Sequence, residues 1–421
     1  MKTLADYREV MRRCVKCGAC QAKCPTYRLT RREGAVARGK VALALALVDK
    51  EISIENALLR DMDFCLMCGS CLTACPNNIP TPEIVAAARR EISGQRGLSP
   101  LARGLSFITS SPRVLSLAAK IAANSAFARV AAEKIPAISG LRLRFPKEMA
   151  GRILPEIPRR NLFARLPERL PGQAGKAIIG FFAGCGLTYL YPHIGEMAAR
   201  LLHRLGYSLI IPRNQGCCGI PALSCGDGAT ADALAARNAA AFAEFAEVDV
   251  IVTACASCFS GLRGYDGQCG GKTAEADFYR KVIEFSQFLA REELARLVAL
   301  HQKSAGQATK ARRVTWHDPC HLKSHGLTAP PRQILAALPG LKFREAEGAN
   351  LCCGLGGSFS LKHYAASQAI GAAKIEGLRA SGADLVVTAC PGCLAQLQDS
   401  ISQAGLNMRA VHLAEIALPE I

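Results

Sequence analysis

The sequence predicts a multidomain chain: a small α-helical, cysteine-rich unit followed by a duplicated α/β unit with parallel sheets. Three observations carry this. Two short cysteine runs lie within the first 95 residues, at Cys14-x-x-Cys17-x-x-Cys20-x-x-x-Cys24-Pro25 and Cys65-x-x-Cys68-x-x-Cys71-x-x-x-Cys75-Pro76. Further on, Cys185, Cys217-Cys218-Gly219 and Cys255-x-x-Cys258 return 135 positions later as Cys320, Cys352-Cys353-Gly354 and Cys390-x-x-Cys393. Apolar strand-length runs lead into several of these cysteines: Val248–Thr253 precedes Cys255, and Asp384–Thr388 precedes Cys390.

Composition narrows the class. A chain of 421 residues is long enough for two or three ordinary cores. Its 20 cysteines would make a disulfide framework only in a small secreted protein, and the N-terminus Met1–Arg8 has no apolar signal core. A reduced, cytoplasmic metalloprotein is expected, its thiolates serving as soft ligands. No run of about 20 apolar residues occurs to span a membrane. The formal charge of +18, from 52 Lys+Arg against 34 Asp+Glu, calls for an anionic partner or surface. Nucleic acid is not expected, because no basic-aromatic recognition motif is present.

Residues 1–95 form the first predicted domain. Three cysteines at two-residue gaps and a fourth before proline match the bacterial ferredoxin spacing for cubane [4Fe–4S] clusters, in which the fourth cysteine serves the other cluster. Cluster one would take Cys14, Cys17, Cys20 and Cys75, and cluster two Cys65, Cys68, Cys71 and Cys24. The spacer Ala35–Asp49 reads as a helix, so an α-helical ferredoxin domain is expected. Gly18 and Gly69 would let the backbone approach the clusters or simply make turns. Arg31, Arg38 and Lys40 read as solvated charges, with compensation of cluster charge as the alternative.

Residues 96–175 read as a basic, Pro-rich helical linker with 14 Lys+Arg against 4 Asp+Glu. Arg113–Lys134 is expected to be an amphipathic helix. It reads first as a connector packed on a neighbouring domain or partner, and second as an element lying on an anionic membrane face.

Residues 176–305 and 306–421 are the two copies. In the first, strands are expected at Ala177–Phe182, Ser208–Pro212 and Val248–Thr253, with helices at Gly195–Leu205 and Thr230–Ala246. In the second, strands are expected at Arg313–Trp316, Lys342–Arg344 and Asp384–Thr388, with helices at Gln333–Leu338 and His363–Ala380. The cysteines then gather at the C-terminal ends of parallel strands, where open α/β sheets place ligands, and two lobes should face each other across those ends.

Each set of five thiols exceeds the four that a cubane or a zinc ion requires. Spacing alone leaves two readings open: a larger or non-standard cluster in each lobe, or a cubane with a fifth thiol nearby. Cys225 and Cys269 fall outside every set and read as ordinary thiols. His317 and His321 flank Cys320, and Gly186 in the first copy stands where His321 stands in the second. They are the only candidates for a catalytic role, as donors to sulfur or as proton donors, against the reading of turn histidines. Gly354, Gly356 and Gly357 make a donor-rich loop. No G-x-G-x-x-G follows a strand, so neither a flavin nor a nicotinamide site is expected.

The two five-cysteine repeats resemble the CCG domain, found in the disulfide-reducing subunit of heterodisulfide reductase, where such sets hold noncubane [4Fe–4S] clusters. A double ferredoxin front end with two CCG repeats resembles the iron–sulfur subunit family of glycolate oxidase, with relatives in D-lactate and anaerobic glycerol-3-phosphate dehydrogenases. Cys14–Tyr27, Arg38-Gly39-Lys40 and His317-Asp318-Pro319-Cys320-His321 carry that likeness. The resemblance implies two cubane clusters, one or two further [4Fe–4S] clusters held by Cys185, Cys217, Cys218, Cys255 and Cys258 and by Cys320, Cys352, Cys353, Cys390 and Cys393, and a flavin on an FAD-binding partner chain. It implies electron transfer from oxidation of a 2-hydroxy acid, glycolate or D-lactate, toward a membrane quinone or cytochrome, with the chain peripheral on the inner membrane face. The alternative is a catalytic disulfide reductase. A zinc-only structural protein is the minimal reading.

Overall fold

The computed structural model describes residues 2–124, 141–144, 152–265, 274–304 and 311–419. Cys269 and the second half of the expected helix Arg113–Lys134 lie outside them.

The N-terminal part is helical. Pro25 and Pro82 sit in the first turn of Pro25–Thr30 and Thr81–Arg96, where a missing N–H costs nothing. The expected spacer helix is present as Ala37–Val48, and it packs with Thr81–Arg96 over a small core that includes Met11, Val41, Leu58, Met62, Ile84 and Ala88. The two helices Pro100–Thr109 and Pro112–Asn124 pack on each other and lead into the paired strands β1 (Leu141–Arg144) and β2 (Ile153–Pro155).

Two α/β lobes follow. The first has a five-stranded sheet in the order β3-β5-β4-β6-β7, built from β3 (Arg169–Leu170), β4 (Ile178–Phe181), β5 (Ser208–Ile210), β6 (Val250–Thr253) and β7 (Val282–Glu284). Only β3 is antiparallel. The second sheet, in the order β11-β10-β8-β9, is wholly parallel and comprises β8 (Arg312–Trp316), β9 (Leu341–Phe343), β10 (Leu385–Thr388) and β11 (Arg409–His412). Strand pairs β4/β8 and β6/β10 occupy the same places in the repeat. Apolar residues on both faces of these strands bury them under helices, as parallel sheets require.

The expected helices appear with modest shifts as Pro192–Arg204, Gly228–Ala243, Ala329–Ala337 and Tyr364–Ser381. The lobes meet at the C-terminal ends of β6 and β10, where Ala256 donates its N–H to the Ala389 carbonyl at 2.9 Å. One apolar core runs through both lobes.

Candidate metal centres

The cysteine runs fold as two copies of one loop. Lys16 and Met67 have φ of 54°, and Gly18 and Gly69, two positions on, have φ of 84° and 67°. Successive left-handed residues wrap each loop around its cysteines, and the Met67 N–H points at Cys65 Sγ at 3.4 Å. At Gly18 the φ of 84° favours glycine over any residue with a Cβ, and Arg38 Nη1 stands 2.9 Å from where that Cβ would be.

Cys14, Cys17, Cys20 and Cys75 line one small cavity. Cys24, Cys65, Cys68 and Cys71 line a second, and Cys71 also borders the first. Both cavities therefore draw thiols from the two runs: the first has three from one run with Cys71 and Cys75 from the other, and the second has three from one run with Cys24 from the other. Burial pushes the Cys20, Cys24 and Cys71 thiols above their ordinary range. As bare thiolates they would be penalised, so the donor set suits iron, which would supply the missing positive charge.

Lys40 corrects a surface assignment. It is buried at the second cavity, its Nζ donating to the Gly34 carbonyl at 2.9 Å and to the Asp61 carbonyl. Arg38 borders the first cavity, gripping Glu33 through two nitrogens at 2.8 Å and the Lys16 carbonyl at 3.1 Å. Arg31 stacks over Tyr27. Arg89, which sequence reasoning passed over, is buried and donates to the carbonyls of Met62, Asp63, Cys65 and Ser224, tying the second cysteine run to the first lobe.

In each lobe the five cysteines converge at the strand ends. Cys185 Sγ lies 3.6 Å from Cys217 Sγ, and Cys218 packs beside Cys258. In the second lobe Cys352 packs beside Cys320, and Cys353 beside Cys393. The lone cysteines Cys185 and Cys320 are half-buried and the other eight are buried. Cys225, outside the sets, borders a groove with Arg89, Ser93 and His363.

The sets do not stand apart. Cys255 of the first lobe lies against Cys390 of the second, and Ser257 Oγ bridges Cys390 Sγ at 3.3 Å and His321 Nδ1 at 3.0 Å. On the other side Cys68 of the second run lies against Cys320 and Cys352. Eighteen thiols thus form one continuous file through the molecule, from the N-terminal cavities into the second lobe and on into the first.

The two histidines are placed differently. His321 is half-exposed at the lobe interface. His317 is fully buried, and its ring lies with Cys353 and Cys393 in a group whose ligand atoms are all within 4.8 Å of one another. Lys374 is buried nearby, donating to the carbonyls of Gly348 at 3.0 Å and Ala349 at 2.9 Å, and burial pulls it down to about 8. Its sequence signal was a lone cation inside the apolar stripe Ile370, Ile375 and Leu378.

Comparison with known proteins agrees with this arrangement. A 4Fe-4S dicluster domain matches residues 10–79, and a Cysteine-rich domain, CCG, matches twice, over residues 179–263 and 314–398. The chain is 29% identical to the probable glycolate oxidase iron-sulfur subunit of Bacillus subtilis (strain 168), over 96% of this chain and 93% of that one. It is 30% identical to lactate utilization protein A of Geobacillus thermodenitrificans, which spans 56% of this chain and is itself covered to 97%. The chain belongs to the glycolate oxidase/lactate utilization family of iron–sulfur proteins. It is also 26% identical to a subunit of the fumarate reductase (CoM/CoB) of Methanothermobacter marburgensis, over 98% of this chain and 73% of that one. As a member of this family the chain is an iron–sulfur component of an oxidoreductase.

Proposed function

We propose that this chain is the electron-transfer subunit of a flavin-dependent 2-hydroxyacid dehydrogenase, acting on glycolate or D-lactate through an FAD-binding partner and delivering electrons toward a membrane quinone or cytochrome. The observation that carries this reading is the contact of Cys68 with Cys320 and Cys352, which joins the N-terminal cavities to the lobes. In it, Cys14, Cys17, Cys20 and Cys75 hold one cubane cluster, and Cys24, Cys65, Cys68 and Cys71 the other. Each set of five lobe cysteines holds a further [4Fe–4S] cluster, noncubane in form. Clusters of this kind supply one-electron transfer. The protein's own residues bury the thiols, set cations such as Lys40 beside them and exclude water. The names of the B. subtilis and G. thermodenitrificans relatives support the substrate class.

The chain is proposed to sit peripherally on the inner face of the cell membrane. No described helix is long and apolar enough to cross a membrane. The pair Pro100–Thr109 and Pro112–Asn124 nevertheless exposes Leu101, Phe107, Ile108, Leu117 and Ile121, and no acidic residue occurs between Glu91 and Glu133.

A second reading, disulfide reduction at the lobe centres, is favoured by one observation: both sets of five are complete and meet where Cys255 touches Cys390. Anaerobic co-purification with the flavoprotein partner, followed by turnover assays, separates the two. Glycolate- or D-lactate-dependent dye reduction by the complex supports the first. Turnover of a disulfide with a dye donor, without hydroxy-acid activity, supports the second. Protein lacking iron and sulfide contradicts both and leaves a zinc-only structural protein.

A further inference from the structure

We propose that the two lobe centres are electrostatically unequal, and that His317 and Lys374 make the second-lobe centre the one of higher reduction potential. The inference rests on the proposed presence of a cluster in each lobe. It goes beyond that reading by assigning an order to two centres that the cysteine pattern makes look identical.

The repeat allows the two surroundings to be compared position by position. Where the second lobe has His317, the first has Phe182, and where the second has Lys374, the first has Ala239; all four residues are buried. The cysteines are duplicated faithfully while the polar groups beside them are not. Neither ring nitrogen of His317 has a hydrogen-bond partner among the described residues. Leaving such a group buried and unpaired is costly, so a partner at this site is expected. The ring lies within 4.8 Å of the Cys353 and Cys393 thiols, and thiolate sulfur there is the acceptor assigned to its N–H. Lys374 adds an ammonium whose two carbonyl acceptors, Gly348 and Ala349, lie just ahead of Cys352-Cys353.

The nearest acid, Asp318, is committed elsewhere. It accepts from Trp316 Nε1 at 2.8 Å and from Arg332 at 2.8 and 2.9 Å, and Arg332 also holds Glu345. Near the first-lobe set the corresponding imidazole is His321, which is half-exposed and engaged with Ser257. A donor to sulfur and a buried cation both favour the more negative, reduced form of a centre and so raise its potential. The second lobe is also the one that meets Cys68, so the higher-potential centre lies next to the N-terminal pair.

His317 and Lys374 act here as positioning residues, through sulfur and through the field. The test is an anaerobic redox titration of the full holoprotein followed by electron paramagnetic resonance, comparing wild type with H317F, H317Q and K374M. H317F installs the first-lobe residue and should move one midpoint to more negative potential while the N-terminal clusters keep theirs. H317Q keeps an N–H donor and should stay near wild type. K374M should move the same midpoint as H317F, which keeps the inference testable should H317F fail to assemble. Unchanged midpoints at full iron content, or equal shifts in H317F and H317Q, overturn the inference and leave the cluster assignment standing. Wild-type protein with no second-lobe centre overturns both.

Discussion

Residues of one chemical type were readable in the sequence and residues of another were not. Thiols announce themselves by spacing, because a cluster fixes the distances between its ligands; the four cysteines expected for each cluster line a common cavity, with Cys71 bordering both. Buried cations have no such pattern. Lys40 read as a solvated charge, yet it lies on the face of Ala37–Val48 that buries Val41 and Ala44, and Arg89 lies on the stripe with Val85, Ala88 and Ile92. A lone cation inside an apolar stripe is the signal that would have found them, since its burial requires partners. Lys40→Met would leave the Gly34 and Asp61 carbonyls without their donor. A loss of about 1–3 kcal/mol is expected in anaerobic denaturation, together with a more negative midpoint for the second N-terminal cluster. Arg89→Met removes the donor to four backbone carbonyls and should cost about 3 kcal/mol or more by the same measurement. Among the cysteines, Cys71→Ser should lower the iron content per chain, while Cys225→Ser should leave it unchanged.

At the scale of elements, the central strands were legible and three of the edge strands were not. Sequence reading placed β4, β6, β8 and β10 within a residue or two, because buried parallel strands are rich in β-branched, aliphatic and aromatic residues and lead into the repeated cysteines. It missed β3, β7 and β11: the first two have two and three residues, and β11 begins with exposed Arg409, so tertiary pairing rather than composition makes them strands. The ends of β7 and β11 matter, because Glu284 and His412 occupy matching positions there. Burial pushes Glu284 up to about 7 from an ordinary 4.5. The folded chain then keeps a proton that the unfolded chain releases, so stability falls as pH rises from about 4.5 to about 7. Glu284→Gln, which keeps an oxygen for the Ser286 and Gln287 N–H groups, should flatten that slope, by up to about 3 kcal/mol between pH 5 and pH 8 in anaerobic denaturation.

The helix pair after residue 99 mixes the two roles read from its sequence. Pro112 packs beside Gly216 and accepts from Tyr189, as a connector would, while Phe107, Leu117 and Ile121 are each more than half exposed. Flotation with anionic vesicles should carry the wild type upward, more weakly at high salt, and Phe107→Glu with Leu117→Glu should abolish it; equal flotation on neutral vesicles would contradict the electrostatic part of that reading.

At the scale of the whole molecule, the repeat disclosed two lobes meeting at their strand ends, but not which lobe's thiols meet those of the N-terminal unit. That choice depends on contacts between residues some 250 to 300 positions apart, such as Lys323 to Ser70 at 3.1 Å, Lys362 to Asp63 at 2.6 Å and His363 to Asp63 at 3.0 Å. No periodicity encodes such contacts. Their consequence is that the thiols form a single file with the second lobe in the middle. In the proposed function the chain is therefore a relay in which the lobes receive electrons through the N-terminal clusters. Freeze-quench electron paramagnetic resonance of the complex with its flavoprotein partner, after mixing with glycolate or D-lactate, tests this most directly. The predicted result is reduction of the N-terminal clusters and then of the lobe centres, with the lobe signals lost in Cys68→Ser; a reduced flavin beside clusters that stay oxidised would contradict it.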